Sequence, residues 1–242
     1  MQRRHLDRKA YFKELANTSR DFYLPYLSNL YKIETSMNIL EVGCGEGGNL
    51  VPFAKLGCKV TGIDIAECRI KDAKAYFSEI SNHAKFVCCD FMKYPVPCNE
   101  EDKYDVILLH DVIEHVPTKE PFLAHLKKFL KPTGVLFVGF PAWQMPFGGH
   151  QQICRSKLCS HLPFIHLLPN SLYKLLLKTC NEETGTIKEL MSIKECRTSI
   201  ELFESLIHKC GFVVVDQKLW FINPHYKQKF HLTPHLLPHW VW

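Results

Sequence analysis

Four glycines fall within the run Glu41-Val42-Gly43-Cys44-Gly45-Glu46-Gly47-Gly48, which follows an apolar stretch and opens a helical one. Glycines there let the backbone pass close to a ligand, and a helix N-terminus favours a negative group. Asp64 closes the next apolar stretch, and an acid in that place can accept from both hydroxyls of a ribose. Asp90-Phe91 closes a third, with a carboxylate suited to an adenine amine and a ring suited to cover its face. Two histidines have the chemistry of a proton acceptor near neutral pH. His115 lies in His110-Asp111-Val112-Ile113-Glu114-His115-Val116, and His150 in Pro146-Phe147-Gly148-Gly149-His150-Gln151-Gln152. The glycines before His150 would let a loop bend tightly over a ligand. For His115 the alternative is a histidine that only organises its loop, and for His150 one that only packs or touches substrate. The glycine run leaves the ligand open, because Gly43, Gly45 and Gly48 also satisfy the dinucleotide pattern G-x-G-x-x-G.

The elements that must position these residues alternate along the chain. Strands are predicted at 37–43, 58–64, 85–90, 104–110 and 135–140, with helices at 49–56, 67–80 and 119–130 between them. The third helix is expected to stop at Lys131-Pro132-Thr133-Gly134. Strands apolar on both faces and alternating with helices predict a doubly wound, mainly parallel α/β sheet. Such sheets bind ligands beyond the carboxyl ends of their strands, beside the first. Residues 1–36 read as an amphipathic helical cover that Pro25 splits in two, and 37–140 as the core. Residues 141–197, with four prolines and Gly148-Gly149, interrupt the rhythm and read as a lid or substrate lobe. Residues 198–242 supply a closing helix at 199–210, a strand at 212–222 and the C-terminal strands of the core.

Three features beside the glycine run remove its ambiguity: Glu41 two residues before Gly43, Asp90-Phe91 after the third strand, and the Asp111-Val112-Ile113-Glu114-His115-Val116 segment after the fourth. Together they resemble the class I S-adenosylmethionine (SAM) dependent methyltransferases of the small-molecule branch, similar to the quinone-biosynthesis enzymes. The likeness spans roughly residues 37–140 and 199–222. It implies a Rossmann-like seven-stranded sheet whose last strand is antiparallel, SAM as cofactor, and methyl transfer to a small or amphiphilic acceptor, chiefly at oxygen. It implies that Gly43 and Gly45 line the methionine part, Glu41 organises the loop and Asp64 holds the ribose. Ile65 and Phe91 would sandwich the adenine, Asp90 would take its amine, and the His110 carbonyl would face the methionine amino group. His115 and His150 are the candidates for catalysis. Two rivals remain: a nucleic-acid methyltransferase, and a SAM-binding module without turnover.

Composition bears on the partner. The 242 residues are 46% hydrophobic and 23% charged, which excludes a disordered or collagen-like chain. The net charge of +5 is too weak to argue for nucleic acid. Eleven cysteines without a regular framework, and a charged start with no apolar segment behind it, predict a cytoplasmic protein. No metal is expected. His150, Cys154, Cys159 and His161 lack a C-x-x-C pair, and Asp111 with Glu114 lacks a downstream Asp-Asn companion. The apolar patch from Leu158 to Leu177 reads either as a helical lid or as a greasy tunnel for an amphiphilic or lipid-linked acceptor at a membrane surface. Lys174 and Lys178 would suit an anionic headgroup, and Trp220, Phe221, Trp240 and Trp242 add aromatic surface. The oligomeric state is left open.

Overall fold

A five-stranded sheet carries the glycine run. Its strands are β1 (Asn38–Val42), β2 (Lys59–Asp64), β3 (Ala84–Cys88), β4 (Tyr104–His110) and β5 (Leu130–Gly139), in the order β3-β2-β1-β4-β5. The computed structural model describes residues 7–238. Trp240, Trp242 and the first six residues of the predicted cover lie outside them. β1 pairs in parallel with β2 and β4, and β2 with β3. Ile39, Leu40, Ile107 and Leu109 are fully buried, each contributing about 1.5–3 kcal/mol by leaving water. The order reverses at β1, which puts the topological switch point, where such sheets bind ligands, at its carboxyl end. The sheet described has five strands in place of the seven expected. The remaining two, β6 (Trp220–Ile222) and β7 (His235–Leu236), pair antiparallel with each other in a separate ribbon.

Two further boundaries depart from expectation. Lys131-Pro132-Thr133-Gly134 does not precede β5 but lies inside it. β5 is the sheet edge, where a proline costs no shared hydrogen bond. The strand expected at 212–222 forms only over Trp220–Ile222, and Val213 and Val215 stay exposed without a partner strand.

The chain forms two compact units. One comprises residues 7–110, 125–138 and 213–238, and holds the sheet. Here α1 (Arg8–Thr18) runs through a π turn at Ser19–Tyr23 into α2 (Leu24–Leu30), so Pro25 splits nothing. The Leu24 N–H reaches back five residues to the Ser19 carbonyl, and this wider turn directly precedes Pro25, whose ring and missing N–H a regular α-helix interior would not accept without a kink. After β1 comes a 3₁₀ turn at Gly48–Leu50 and then α3 (Val51–Lys55), and α4 (Glu67–Phe77) follows β2. A Cβ at Gly48 would lie 2.6 Å from the Phe12 carbonyl oxygen and 2.7 Å from the Leu15 Cβ, so only glycine lets α1 lie this close. The core joins Phe12, Leu27, Ile39, Leu50, Phe53, Val60, Phe77 and Val106.

The other unit comprises residues 111–124 and 139–212. α5 (Lys119–Lys127) begins in it; α6 (Lys157–His161), α7 (Asn170–Thr179), α8 (Thr184–Cys196) and α9 (Ile200–Lys209) complete it. Its core gathers Cys154, Cys159, Ile165, Tyr173, Leu177, Ile187 and Leu190. In the sheet unit, α10 (His225–Phe230) packs on α1, with the His225 ring edge-on to Tyr11. Among the described residues no helix is long and apolar enough to cross a membrane.

Candidate active site

The sheet unit gathers the glycine run and both strand-end acids. Gly43, Gly45 and Gly47 have φ of 71°, 53° and 81°, left-handed values that glycine alone adopts freely. The loop is pinned by Asp64. Its Oδ2 accepts from the Gly45 N–H and its Oδ1 from the Ala66 N–H, both at 2.8 Å. Each oxygen keeps a lone pair for a further donor. Beside it Ile65 is 78% exposed, an apolar surface with no protein covering. Asp90 caps its own turn, accepting from the Met92 N–H at 3.0 Å, and is exposed. Phe91 departs from expectation. Its ring is 5% exposed and packs on His125 and Phe129, with centroids 5.3 and 4.9 Å away, so the core holds it. Met92, the next residue, is the exposed apolar side chain of that turn.

Glu41 is fully enclosed at the centre of the sheet. Its Oε1 accepts from the Asn49 amide at 2.7 Å, and its Oε2 is buried without a hydrogen bond. Burial pushes its carboxyl up to about 8; the Asp64 charge adds to this and the Asn49 hydrogen bond opposes it. Ser19 Oγ donates to the Asn49 carbonyl at 2.7 Å, tying the π turn to the same loop. The other end of that turn places the Tyr23 hydroxyl 2.7 Å from His110 Nε2 at the end of β4.

The second unit gathers both candidate histidines around a carboxylate. The 3₁₀ turn Ile113–His115 presents Glu114, whose side chain is 3% exposed and makes no hydrogen bond among the described residues. His150 Nε2 lies 3.4 Å from Glu114 Oε1, an ion pair and not a formed hydrogen bond, and His115 Nε2 lies 3.9 Å from the same oxygen. The rings meet edge to face, 5.1 Å apart. His150 has φ of 58°, and a Cβ at Gly148 or Gly149 before it would lie 2.2 Å from the Ala142 carbonyl oxygen or the His166 Cβ, so only glycine lets the loop pack this closely. Burial pushes His150 down, but the Glu114 carboxylate outweighs it and holds the imidazole above its ordinary value. Burial pushes His115 down, and there the Glu114 charge does not make up the difference. Burial and the charge of one carboxylate thus leave the two imidazoles on opposite sides of their ordinary value, the arrangement that separates an acid from a base.

In the sequence Glu114 belongs to the segment that carries the resemblance and to a rejected metal set, with no role beside the histidines, although its adjacency to His115 is a signal. Tyr23 had none, because nothing in its spacing announces a π turn. One ligand atom from each of Glu114, His115 and His150 lies within 4.8 Å of the others, close enough to share a cation or a proton. The other ligand-like set does not assemble. Cys154 and Cys159 are buried in the apolar core, and His161 is exposed against the Lys157 carbonyl.

An open parallel sheet with a glycine loop after β1 and an acid ending β2 defines a nucleoside-binding α/β domain. Residues 40–138 match the methyltransferase domain family, and that segment is a methyltransferase domain. The chain is 34% identical over 123 residues to the sterol 24-C-methyltransferase of Gibberella zeae, covering 50% of this chain and 31% of that one. It is 32% identical over 127 residues to the ubiquinone biosynthesis O-methyltransferase of Bartonella tribocorum, covering 50% and 49%. The chain thus spans about half or less of the length of these relatives. In fold it resembles phosphoethanolamine N-methyltransferase 2 of Haemonchus contortus, solved in complex with SAM. There the TM-score is 0.54 and the identity 17%, covering 80% of this chain and 37% of that one.

Proposed function

We propose that the protein transfers the methyl group of SAM to a hydroxyl oxygen of a small or amphiphilic acceptor, with His115 as the base. The observation that carries this is Glu114, a buried carboxylate flanked by His115 and His150 and holding them at different affinities for a proton. The sheet unit suits the cofactor. Its positive-φ glycine loop leaves backbone to approach, and Asp64 keeps lone pairs for two ribose hydroxyls. Asp90 remains the partner for the adenine amine, with Ile65 and Met92 as its apolar surfaces. When bound, SAM supplies a methyl group on a cationic sulfur that leaves as a neutral thioether. The protein therefore has no anionic leaving group to stabilise; it must align the acceptor and remove its proton.

His115, kept neutral, is the group ready to take that proton. His150, whose affinity for a proton Glu114 raises above the ordinary imidazole value, is the group that orients the acceptor oxygen. The ubiquinone O-methyltransferase relative favours oxygen, and the sterol relative favours an amphiphilic acceptor. The test is turnover of SAM to S-adenosylhomocysteine with polyprenyl catechols, simple catechols, sterols and primary amines, before and after chelation. Turnover with phenolic acceptors, unchanged by chelator, supports the reading. Turnover confined to amines or sterols, or abolished by chelator, overturns it.

A further inference from the structure

The inward faces of α6, the turn Ile165–Leu167 and α7 meet in one apolar core through Cys159, Ile165, Tyr173 and Leu177. Their outward faces are also apolar. Leu158, Leu162, Phe164, Leu167, Leu172 and Leu175 are each 44–57% exposed. Six large apolar side chains exposed within eighteen residues are more than the scattered exposure of an ordinary surface. Phe164 reaches this surface with φ of 62°, a conformation rare for an aromatic residue.

The charge along the segment that carries this face is basic. No Asp or Glu occurs between Glu120 and Glu182, while Lys157, Lys174 and Lys178 are exposed among the leucines. The next acids along the chain are already engaged. Glu182 accepts from the backbone N–H groups of Arg155 and Ser156 at 2.9 and 2.8 Å, and Glu183 pairs with the Arg155 guanidinium at 2.6 Å. A cavity of about 580 Å³ beside α7 is lined by Lys174, Lys178 and Lys188 together with Glu182, whose oxygens the two backbone N–H groups already engage. Apolar side chains on the outside of short helices, edged by lysines, have the composition of an interfacial segment that rests on lipid.

We propose that this face docks on an anionic lipid bilayer, the leucines and Phe164 entering the acyl boundary and Lys157, Lys174 and Lys178 holding phosphate headgroups. A second copy of the chain does not suit it, because two such faces would bring lysine against lysine. The inference is independent of the acceptor atom, since bilayer binding requires no methyl transfer.

The test is co-sedimentation of the full chain with vesicles of phosphatidylcholine alone or mixed with phosphatidylglycerol. Binding is expected to the mixed vesicles, weakened by added salt. Leu172→Ser/Leu175→Ser and Lys174→Glu/Lys178→Glu should each weaken it roughly tenfold or more. Lys71→Glu/Lys74→Glu, an equal charge change on α4, should alter it less than about twofold. Unchanged SAM affinity and melting temperature show that the variants fold. No sedimentation with the mixed vesicles, equal binding to phosphatidylcholine alone, or equal loss in the α4 variant overturns the proposal. So does a dimer in solution that the leucine variant dissociates, which would make the face a contact between copies.

Discussion

Asp64→Asn tests the cofactor site with the smallest change of shape. In the native protein each carboxylate oxygen accepts one backbone N–H at 2.8 Å, from Gly45 and from Ala66. An amide has one acceptor oxygen, so its NH₂ must face one of these N–H groups, donor against donor. Two ribose hydroxyls, which a carboxylate accepts together, then also compete for one oxygen. A hydrogen bond to a charged group is worth about 1.5–3 kcal/mol, so loss of one predicts a fall in SAM affinity of roughly 10- to 150-fold. Asp64 is only half-buried, so water can reach the orphaned N–H in the free protein. The melting temperature without ligand should therefore fall by no more than a few degrees. Titration calorimetry with SAM, with S-adenosylhomocysteine and with NAD measures all three affinities. Asp64→Glu should not rescue, because the added methylene moves both oxygens off the two N–H groups. Native affinity for SAM in Asp64→Asn, or tight NAD binding by the native protein, would refute the reasoning.

Three further predictions concern the histidines, the buried acid and the glycine loop. His115→Gln should lower turnover about 10²–10⁴-fold at unchanged SAM affinity, whereas His150→Gln should chiefly raise KM for the acceptor. The acid limb of the rate profile should lie below the ordinary histidine value and move lower still in Glu114→Gln, which removes a charge that lifts both imidazoles; a rise would sink the assignment. Glu41 keeps its proton in the folded protein up to about pH 8 but loses it near pH 4.5 when unfolded. Stability from this group is thus fully present below pH 4.5 and declines as pH rises to 8, by at most about 5 kcal/mol. Melting curves of the free protein should show this decline and Glu41→Gln should flatten it, whereas equal slopes would count against a protonated Glu41. Gly48→Ala forces a methyl against the Phe12 carbonyl and should destabilise by about 1–3 kcal/mol in denaturant unfolding; an unchanged midpoint would mean that α1 gives way freely.

The central strands were legible because each is apolar on both faces and ends in a residue of distinct chemistry. Val42 runs into glycine, β2 ends on Asp64 and β4 on His110. The failures have local causes. Pro132 reads as a stop, but only tertiary placement reveals that its strand is an edge. The valines at 213–215 read as a strand, and a pattern cannot tell whether a neighbour exists to receive it. Phe91 and Met92 are adjacent, and which of the two faces outward depends on the packing of Phe129, nearly forty residues on. Gathering Glu114, His115 and His150 needs the loop after β5 to return, so the adjacency of Glu114 and His115 was visible and the third member was not.

The π turn at Ser19–Tyr23 sets the phase of the N-terminal helix. A ring closed over five residues in place of four carries one residue more than an α-helix needs, so it behaves as a one-residue insertion absorbed without a loop. Deleting one residue there would return the segment to α geometry and rotate α2 by about 100° against α1. With α1 fixed by its close approach at Gly48, that rotation would swing Tyr23 away from His110 and leave both partners intact in sequence. In this stretch a substitution changes one side chain. A single-residue deletion changes which face of α2 meets the sheet, and its cost grows with the length of helix beyond it.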